Sequence, residues 1–274
     1  MTMETITIDD LVFDVRVEGP DDGTPVVLLH GFPQTSLAWK EVAPRLHTAG
    51  MRTLASDQRG YSPGARPSGV AEYTSGKLVA DVLGLLDAVD LESAHIVGHD
   101  WGAAVAWQLA ARHPERVRSL TAVSVPHTAA FGWALREDED QKARSSYMQL
   151  LRIEGKAEQV LLEHDAARLR AMFGSSCAVD SYVEHLSGPG ALTAALNWYR
   201  AMTSDFGRLE SVQVPTTYVW SNQDSAIGRA AAERCAEFVD ADYTFVELDG
   251  ISHWVPEEAP ERLADEICTR ALSS

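Results

Sequence analysis

The chain opens on strict alternation. Thr5-Ile6-Thr7-Ile8 and residues 11–17 set apolar against polar positions on either side of Asp9-Asp10, which predicts the two strands of a hairpin. The pattern then changes in kind. Pro25-Val26-Val27-Leu28-Leu29-His30 is a compact apolar run with no polar face, as expected of a strand covered on both sides within a parallel sheet. Residues 51–56, 93–97 and 117–124 predict further strands. Helical periodicity fills the intervals over residues 36–47, over residues 73–89 and over residues 101–113, the last of these stopped by Pro114. Residues 57–64 are rich in turn formers. Strands that alternate with helices imply a mostly parallel sheet with right-handed connections.

From about Pro126 the rhythm breaks. Up to about Leu209 the chain carries several helical patterns and no strand pattern, including a charged run at 136–144, taken as a solvated helix face, and a break at Gly188-Pro189-Gly190. Strands resume at 216–220 and 243–248, separated by a helix near 227–239, and a final helix is predicted over 256–272. An all-helical block inserted in an α/β core predicts a lid over the carboxyl edge of the sheet, where such folds bind ligands. The expected division is core at 1–126, helical cap at 127–210 and core again at 211–274.

Composition narrows the function classes. The 274 residues suffice for one large α/β domain with an insertion. With 23 basic and 40 acidic residues, a net charge of −17 disfavours nucleic acid and anionic membranes as partners. Cys177, Cys235 and Cys268 are far apart, odd in number and outside any metal-ligand spacing, which suits a reduced, cytoplasmic protein without metal or other cofactor. The first residues lack the apolar core of a signal peptide, and no window approaches 18 uninterrupted apolar residues. Self-association into a homo-oligomer is left open.

One pentapeptide carries most of the chemistry. Gly98-His99-Asp100-Trp101-Gly102 lies between a predicted strand and a predicted helix, and has a carboxylate where a nucleophilic serine is more usual. A sharp strand-to-helix turn needs small residues on both flanks, because backbone packs closely there. It pushes the central side chain out at the top of the sheet, against a helix N-terminus that favours negative charge. A carboxylate that attacks an sp3 carbon forms an alkyl ester, which water can cleave at the carbonyl; a serine would form an inert ether. Asp100 therefore points to epoxides or alkyl halides.

With this elbow, His30-Gly31-Phe32-Pro33, two tyrosines of the helical block, Asp224 and Gly250-Ile251-Ser252-His253-Trp254, the chain resembles capped α/β-hydrolases of the epoxide hydrolase type over nearly its whole length. The resemblance implies an α/β-hydrolase fold with a mostly parallel, eight-stranded sheet flanked by helices. It implies Asp100 as nucleophile, His253 as general base and Asp224 as the group that orients the imidazole, in the family's chain order. It implies backbone N–H groups of Phe32 and Trp101 as an oxyanion hole, and a cis Phe32–Pro33 bond. Tyr199, in Leu196-Asn197-Trp198-Tyr199-Arg200, matches the second tyrosine motif closely; Tyr147, in Ser146-Tyr147-Met148-Gln149-Leu150, falls where the first belongs. Two phenols, protonated at neutral pH, would grip an epoxide oxygen and donate a proton as the ring opens. The implied reaction turns an epoxide into a vicinal diol through an ester on Asp100. Trp101, Phe32 and Trp198 are expected at the substrate, and Met148, Met172, Phe173 and Met202 are candidates for an apolar pocket.

Three other readings share parts of this pattern. Haloalkane dehalogenases use the same nucleophile, and Trp101 could bind halide, but they usually carry asparagine where this chain has Phe32 and they lack the tyrosine pair. Haloacid dehalogenases of the fluoroacetate type place arginine directly after the nucleophile, where this chain has Trp101 and, a turn on, Ala104. A ligand-binding protein without catalysis would need no such set of residues.

Overall fold

The computed structural model describes residues 3–173 and 178–273. Cys177 lies outside the described residues. Eight strands form one sheet: β1 (Met3–Ile8), β2 (Leu11–Glu18), β3 (Thr24–Leu29), β4 (Met51–Ser56), β5 (Ala94–His99), β6 (Val117–Val123), β7 (Thr216–Ser221) and β8 (Tyr243–Leu248). They lie in the order β1-β2-β4-β3-β5-β6-β7-β8. β1 pairs antiparallel with β2 and β2 antiparallel with β4, while every later pairing is parallel. The alternating opening of the chain thus forms the antiparallel margin, and the continuous apolar runs form the parallel centre.

Helices α1 (Ala43–Thr48), α2 (Ser75–Ala88) and α3 (Trp101–Arg112) follow β3, β4 and β5. Side chains of a strand alternate between faces, and β3 divides its residues accordingly. Val27 and Leu29 enter the core shared with α2 and α3, whereas Val26 and Leu28 enter a second core with Leu46 of α1 and Leu263 and Ile267 of the last helix. The two cores cover both faces, which explains why β3 has no polar face. Every residue of α3 from Trp101 to Ala110 is buried, and Gly102, Ala103, Ala104 and Ala106 let it sit close to the sheet.

Between β6 and β7 all described regular elements are helical: α4 (Thr128–Glu137), α5 (Glu139–Arg144), α6 (Met148–Leu151), α7 (Lys156–Ala171), α8 (Val179–Ser187) and α9 (Ala191–Ala201), with short 3-10 turns. α8 and α9 meet at the predicted Gly-Pro-Gly break. Residues at three places tie this segment to the rest. Trp198 Nε1 donates to the Arg59 carbonyl at 2.9 Å, Tyr182 Oη to Glu257 at 2.6 Å, and Gln141 Nε2 to the Ala226 carbonyl at 2.7 Å. The charged run at 136–144 is therefore not simply a solvated face. Gln141 is buried, and Arg144 Nη1 donates to the Asp224 carbonyl at 2.5 Å.

Three predicted helices are shorter or broken. Residues 36–47 form a 3-10 turn at Ser36–Trp39 and then α1, whose first turn holds Pro44, because proline is excluded from a helix interior. Residues 227–239 yield α10 (Arg229–Glu233) and a 3-10 turn to Phe238, since Val239 leaves to bridge Val212. The last segment divides into α11 (Val255–Glu258) and α12 (Pro260–Leu272) at Ala259, the residue before Pro260. No helix among the described residues is long and apolar enough to cross a membrane.

Candidate active site

The loops that leave β3, β5, β6, β7 and β8 all open at the carboxyl edge of the sheet. They bring Phe32, Asp100, Ser124, Asp224 and His253 together. Asp100 takes φ 52° and ψ −120° between β5 and α3, a conformation that side chains rarely adopt and that exposes the carboxylate above the sheet. The glycines around it are fixed by close approach. A β-carbon at Gly98 would collide with the Gly102 carbonyl, one at Gly102 with the Leu29 carbonyl, and one at Gly31 with the Asp100 carboxylate itself. The Phe32 amide donates to Asp100 Oδ1 at 2.8 Å, and the Phe32–Pro33 bond is cis. The Trp101 amide opens α3, where N–H groups lack intrahelical partners.

His253 faces both carboxylates. Its Nδ1 lies 3.0 Å from each oxygen of Asp224, and its Nε2 lies 3.6 Å from Asp100 Oδ2. Asp224 is buried, and its Oδ1 also accepts the Ala226 and Ile227 amides at 2.7 and 3.0 Å. Burial alone would lower the His253 pKa, but Asp224 and Asp100 together outweigh it and raise the imidazole to about 10. Burial likewise opposes ionisation of Asp224, yet the facing imidazole and its hydrogen bonds keep its carboxyl below the ordinary value. The neighbouring histidines behave oppositely. Burial lowers both His30 and His99 to about 4. His30 accepts the Gln58 amide at Nε2 and contacts the Gly31 carbonyl through Nδ1, and His99 Nε2 contacts the His253 carbonyl, so both rings are held by the surrounding backbone.

Ser124 was not singled out by the sequence. Its Oγ donates to Asp224 Oδ2 at 2.6 Å and lies 2.9 Å from His253 Nδ1. It sits at φ 67° directly after β6, with its amide donating to Val219 and its carbonyl accepting the Tyr218 hydroxyl at 2.6 Å. A lone serine at the end of an apolar strand carries no visible signal; only the adjacency of β6 and β7 brings it to the Asp224 loop.

Tyr147 and Tyr199 come from opposite ends of the helical segment, with ring centroids 6.4 Å apart. The Tyr199 ring also packs edge-on against Trp101 at 5.1 Å and Phe32 at 5.3 Å. Burial first, and then the Asp100 charge among other neighbours, raises both phenols above their ordinary value. Both line two cavities that also share Asp100. The larger measures about 350 Å³ and is bounded by Phe32, Leu150, Leu161, Met172, His253 and Trp254 among others. The smaller measures about 30 Å³ and is bounded by Trp101, Val125, Phe131, Met148, Met202 and Phe206 among others.

Two expectations need correction. Trp198 lines neither cavity at Asp100; its ring backs Trp101 at 5.8 Å and its N–H is spent on Arg59. Phe173 lines neither cavity as well, being stacked between Tyr182 and Trp254 at 5.1 and 5.3 Å.

The whole chain has known counterparts. Residues 24–260 match the family described by the alpha/beta hydrolase fold. The AB hydrolase superfamily protein YfhM of Bacillus subtilis is 33% identical, over 93% of this chain and 92% of its own. Epoxide hydrolase A of Mycobacterium tuberculosis is 31% identical, over 89% of each chain. Among solved structures, the Bacillus megaterium epoxide hydrolase in complex with an inhibitor superposes with a TM-score of 0.89 at 25% identity, over 99% of this chain and 100% of that one.

Proposed function

Since this chain belongs to the alpha/beta hydrolase fold family, we propose that it is an epoxide hydrolase that forms a covalent ester on Asp100. The observation that carries this reading is the convergence on one cavity of Asp100, backed by the buried His253–Asp224 pair, and of the two phenols of Tyr147 and Tyr199. A carboxylate nucleophile, a base and two proton donors form a set that a binder does not need. The activity of the M. tuberculosis and B. megaterium relatives supports the same reading.

The proposed cycle balances as follows. The resting site holds Asp100 ionised and His253 protonated, in keeping with its raised pKa. Tyr147 and Tyr199 bind the epoxide oxygen, Asp100 attacks a ring carbon, and the C–O bond breaks as one phenol protonates the alkoxide. The imidazolium returns a proton to that phenol and becomes neutral. It then takes a proton from water, which attacks the ester carbonyl, while the Phe32 and Trp101 amides hold the oxyanion. The new carboxyl group gives its proton to the departing alkoxide. The diol leaves, and Asp100 and protonated His253 are restored. Residues 127–210 serve as the cap that supplies both phenols and excludes water.

Single turnover in heavy-oxygen water tests the covalent route. The first diol should carry unlabelled oxygen, taken from Asp100, and label in that first diol sinks the ester. His253→Gln should trap the ester as a mass adduct after exposure to an epoxide. Wild type that releases halide from alkyl halides and forms no diol would move the assignment to a dehalogenase.

A further inference from the structure

Resting on the proposed hydrolase reading, we infer that the large cavity is built for epoxides that carry a carboxylate at the other end of an apolar chain, and that Arg168 reads this carboxylate. The wall of the 350 Å³ cavity is mostly apolar, with Leu150, Leu151, Leu161, Ala171, Met172 and Trp254. Apart from Asp100 and His253, Arg168 is the one charged side chain on it among the described residues. Arg168 is exposed and lines the cavity, so it stands at the mouth.

Acidic residues outnumber basic ones 40 to 23, and several arginines of the helical segment are engaged, whereas Arg136 and Arg168 have no such partner among the described residues. Arg144 pairs with Asp140, Arg170 with Asp165 and Asp180, Arg200 with Glu158, and Arg152 donates to the Tyr199 and Met202 carbonyls. No ion pair or hydrogen bond engages Arg168 among the described residues, and Asp100 lies beyond ion-pair distance. Arg168 is separated by one residue from a left-handed turn in α7, where His164, Asp165 and Ala166 take φ 53°, 58° and 55°, with Ala166 and Leu169 buried on either side. A planar guanidinium matches a carboxylate in two-point geometry. An apolar chain laid between Asp100 and Arg168 would keep the substrate's negative charge away from the nucleophile.

The substrate class is therefore an epoxide whose apolar chain ends in an anionic group.

The test uses ω-epoxy carboxylates of increasing chain length beside their neutral primary amides, with wild type, Arg168→Gln and Arg168→Lys. At the best length, wild type should favour the carboxylate in kcat/KM by about three- to five-fold, the scale of a single exposed charge contact. Arg168→Gln should bring the carboxylate-to-amide ratio of kcat/KM down to about that of an uncharged wall, and Arg168→Lys should keep part of the preference. Equal carboxylate-to-amide ratios in wild type and Arg168→Gln overturn the inference. Calorimetric titration with undecanoate separates this inference from the hydrolase reading. Carboxylate binding that depends on Arg168 without any epoxide turnover upholds Arg168 and refutes the hydrolase. Diol formation that ignores the distal charge does the reverse.

Discussion

Asp100→Asn is expected to lower the pKa of His253 sharply, because it deletes one of the two charges that raise the imidazole to about 10. The imidazole Nε2 lies 3.6 Å from Asp100 Oδ2. A unit charge pair at that distance is worth about 1 kcal/mol in bulk water and about 4–5 kcal/mol at the effective dielectric constant near 20 that suits partly buried pairs. Removal of the charge should therefore bring His253 down by roughly one to three pK units. Asp224 is untouched, so the value should remain above that of a free imidazole. The assay is an NMR titration of the His253 ring proton from pH 5 to 11 in wild type and Asp100→Asn, assigned by its loss in His253→Gln. A shift under about 0.3 unit would refute the reasoning, since it would mean that Asp100 does not reach the base. The variant also imitates the ester, which is neutral at the same atom. A fall in the variant thus measures how far the base is prepared for water when the ester forms.

Four further outcomes follow from other parts of the structure. Ser124→Ala removes a hydroxyl hydrogen bond to the Asp224 carboxylate, worth about 1.5–3 kcal/mol for a charged acceptor, and should slow ester hydrolysis about tenfold or more in single-turnover traces while alkylation stays fast; equal slowing of both phases would refute a role through His253. Gly102→Ala forces a methyl onto the Leu29 carbonyl and should destabilise by more than about 2 kcal/mol in urea, whereas unchanged midpoints would show that α3 can shift. Asp81→Asn breaks the two-point Arg59 pair, at 2.6 and 2.7 Å with both side chains about one-tenth exposed, and should destabilise by about 3 kcal/mol, read as a drop in Tm. The His253 pKa lies above its unfolded value near 6.5, so its stabilising contribution is complete below about pH 6.5 and is lost as pH rises towards 10; thermal melts over that window should show wild type losing more stability than His253→Gln.

The fold was legible because its strongest signals are local. The alternation at 3–18, the apolar runs at β3 and β5 and the helical block after β6 each follow from periodicity within one element. The helix ends were not, because they depend on partners elsewhere. Val239 leaves its helix to bridge Val212, a residue 27 positions away. Site chemistry divides in the same way. Asp100 announces itself through the two glycines beside it, whose need for space is a property of the elbow. Trp198 was expected at the substrate, yet successive residues on a helix face different ways, and it turns from the cavity to the Arg59 carbonyl. Ser124 and Arg144 gain their contacts with Asp224 only from strand order and from the packing of α5, which no short motif encodes.

In the proposed reading, one charge acts on three proton carriers. The Asp100 carboxylate contributes to the raised pKa of Tyr147, of Tyr199 and of His253. In the proposed cycle that charge disappears when the ester forms. Both phenols then become better acids at the moment an alkoxide needs a proton, and the imidazole becomes a neutral base before water must be activated. On that proposal, esterification would shift the tyrosines and the histidine in the direction each needs. When the ester is cleaved the charge returns, the imidazolium is stabilised again, and the phenols recover their hold on their protons. On this account the rigidity of the elbow matters as much as its nucleophile, because the coupling depends on the 3.6 Å separation that Gly98 and Gly102 help to fix.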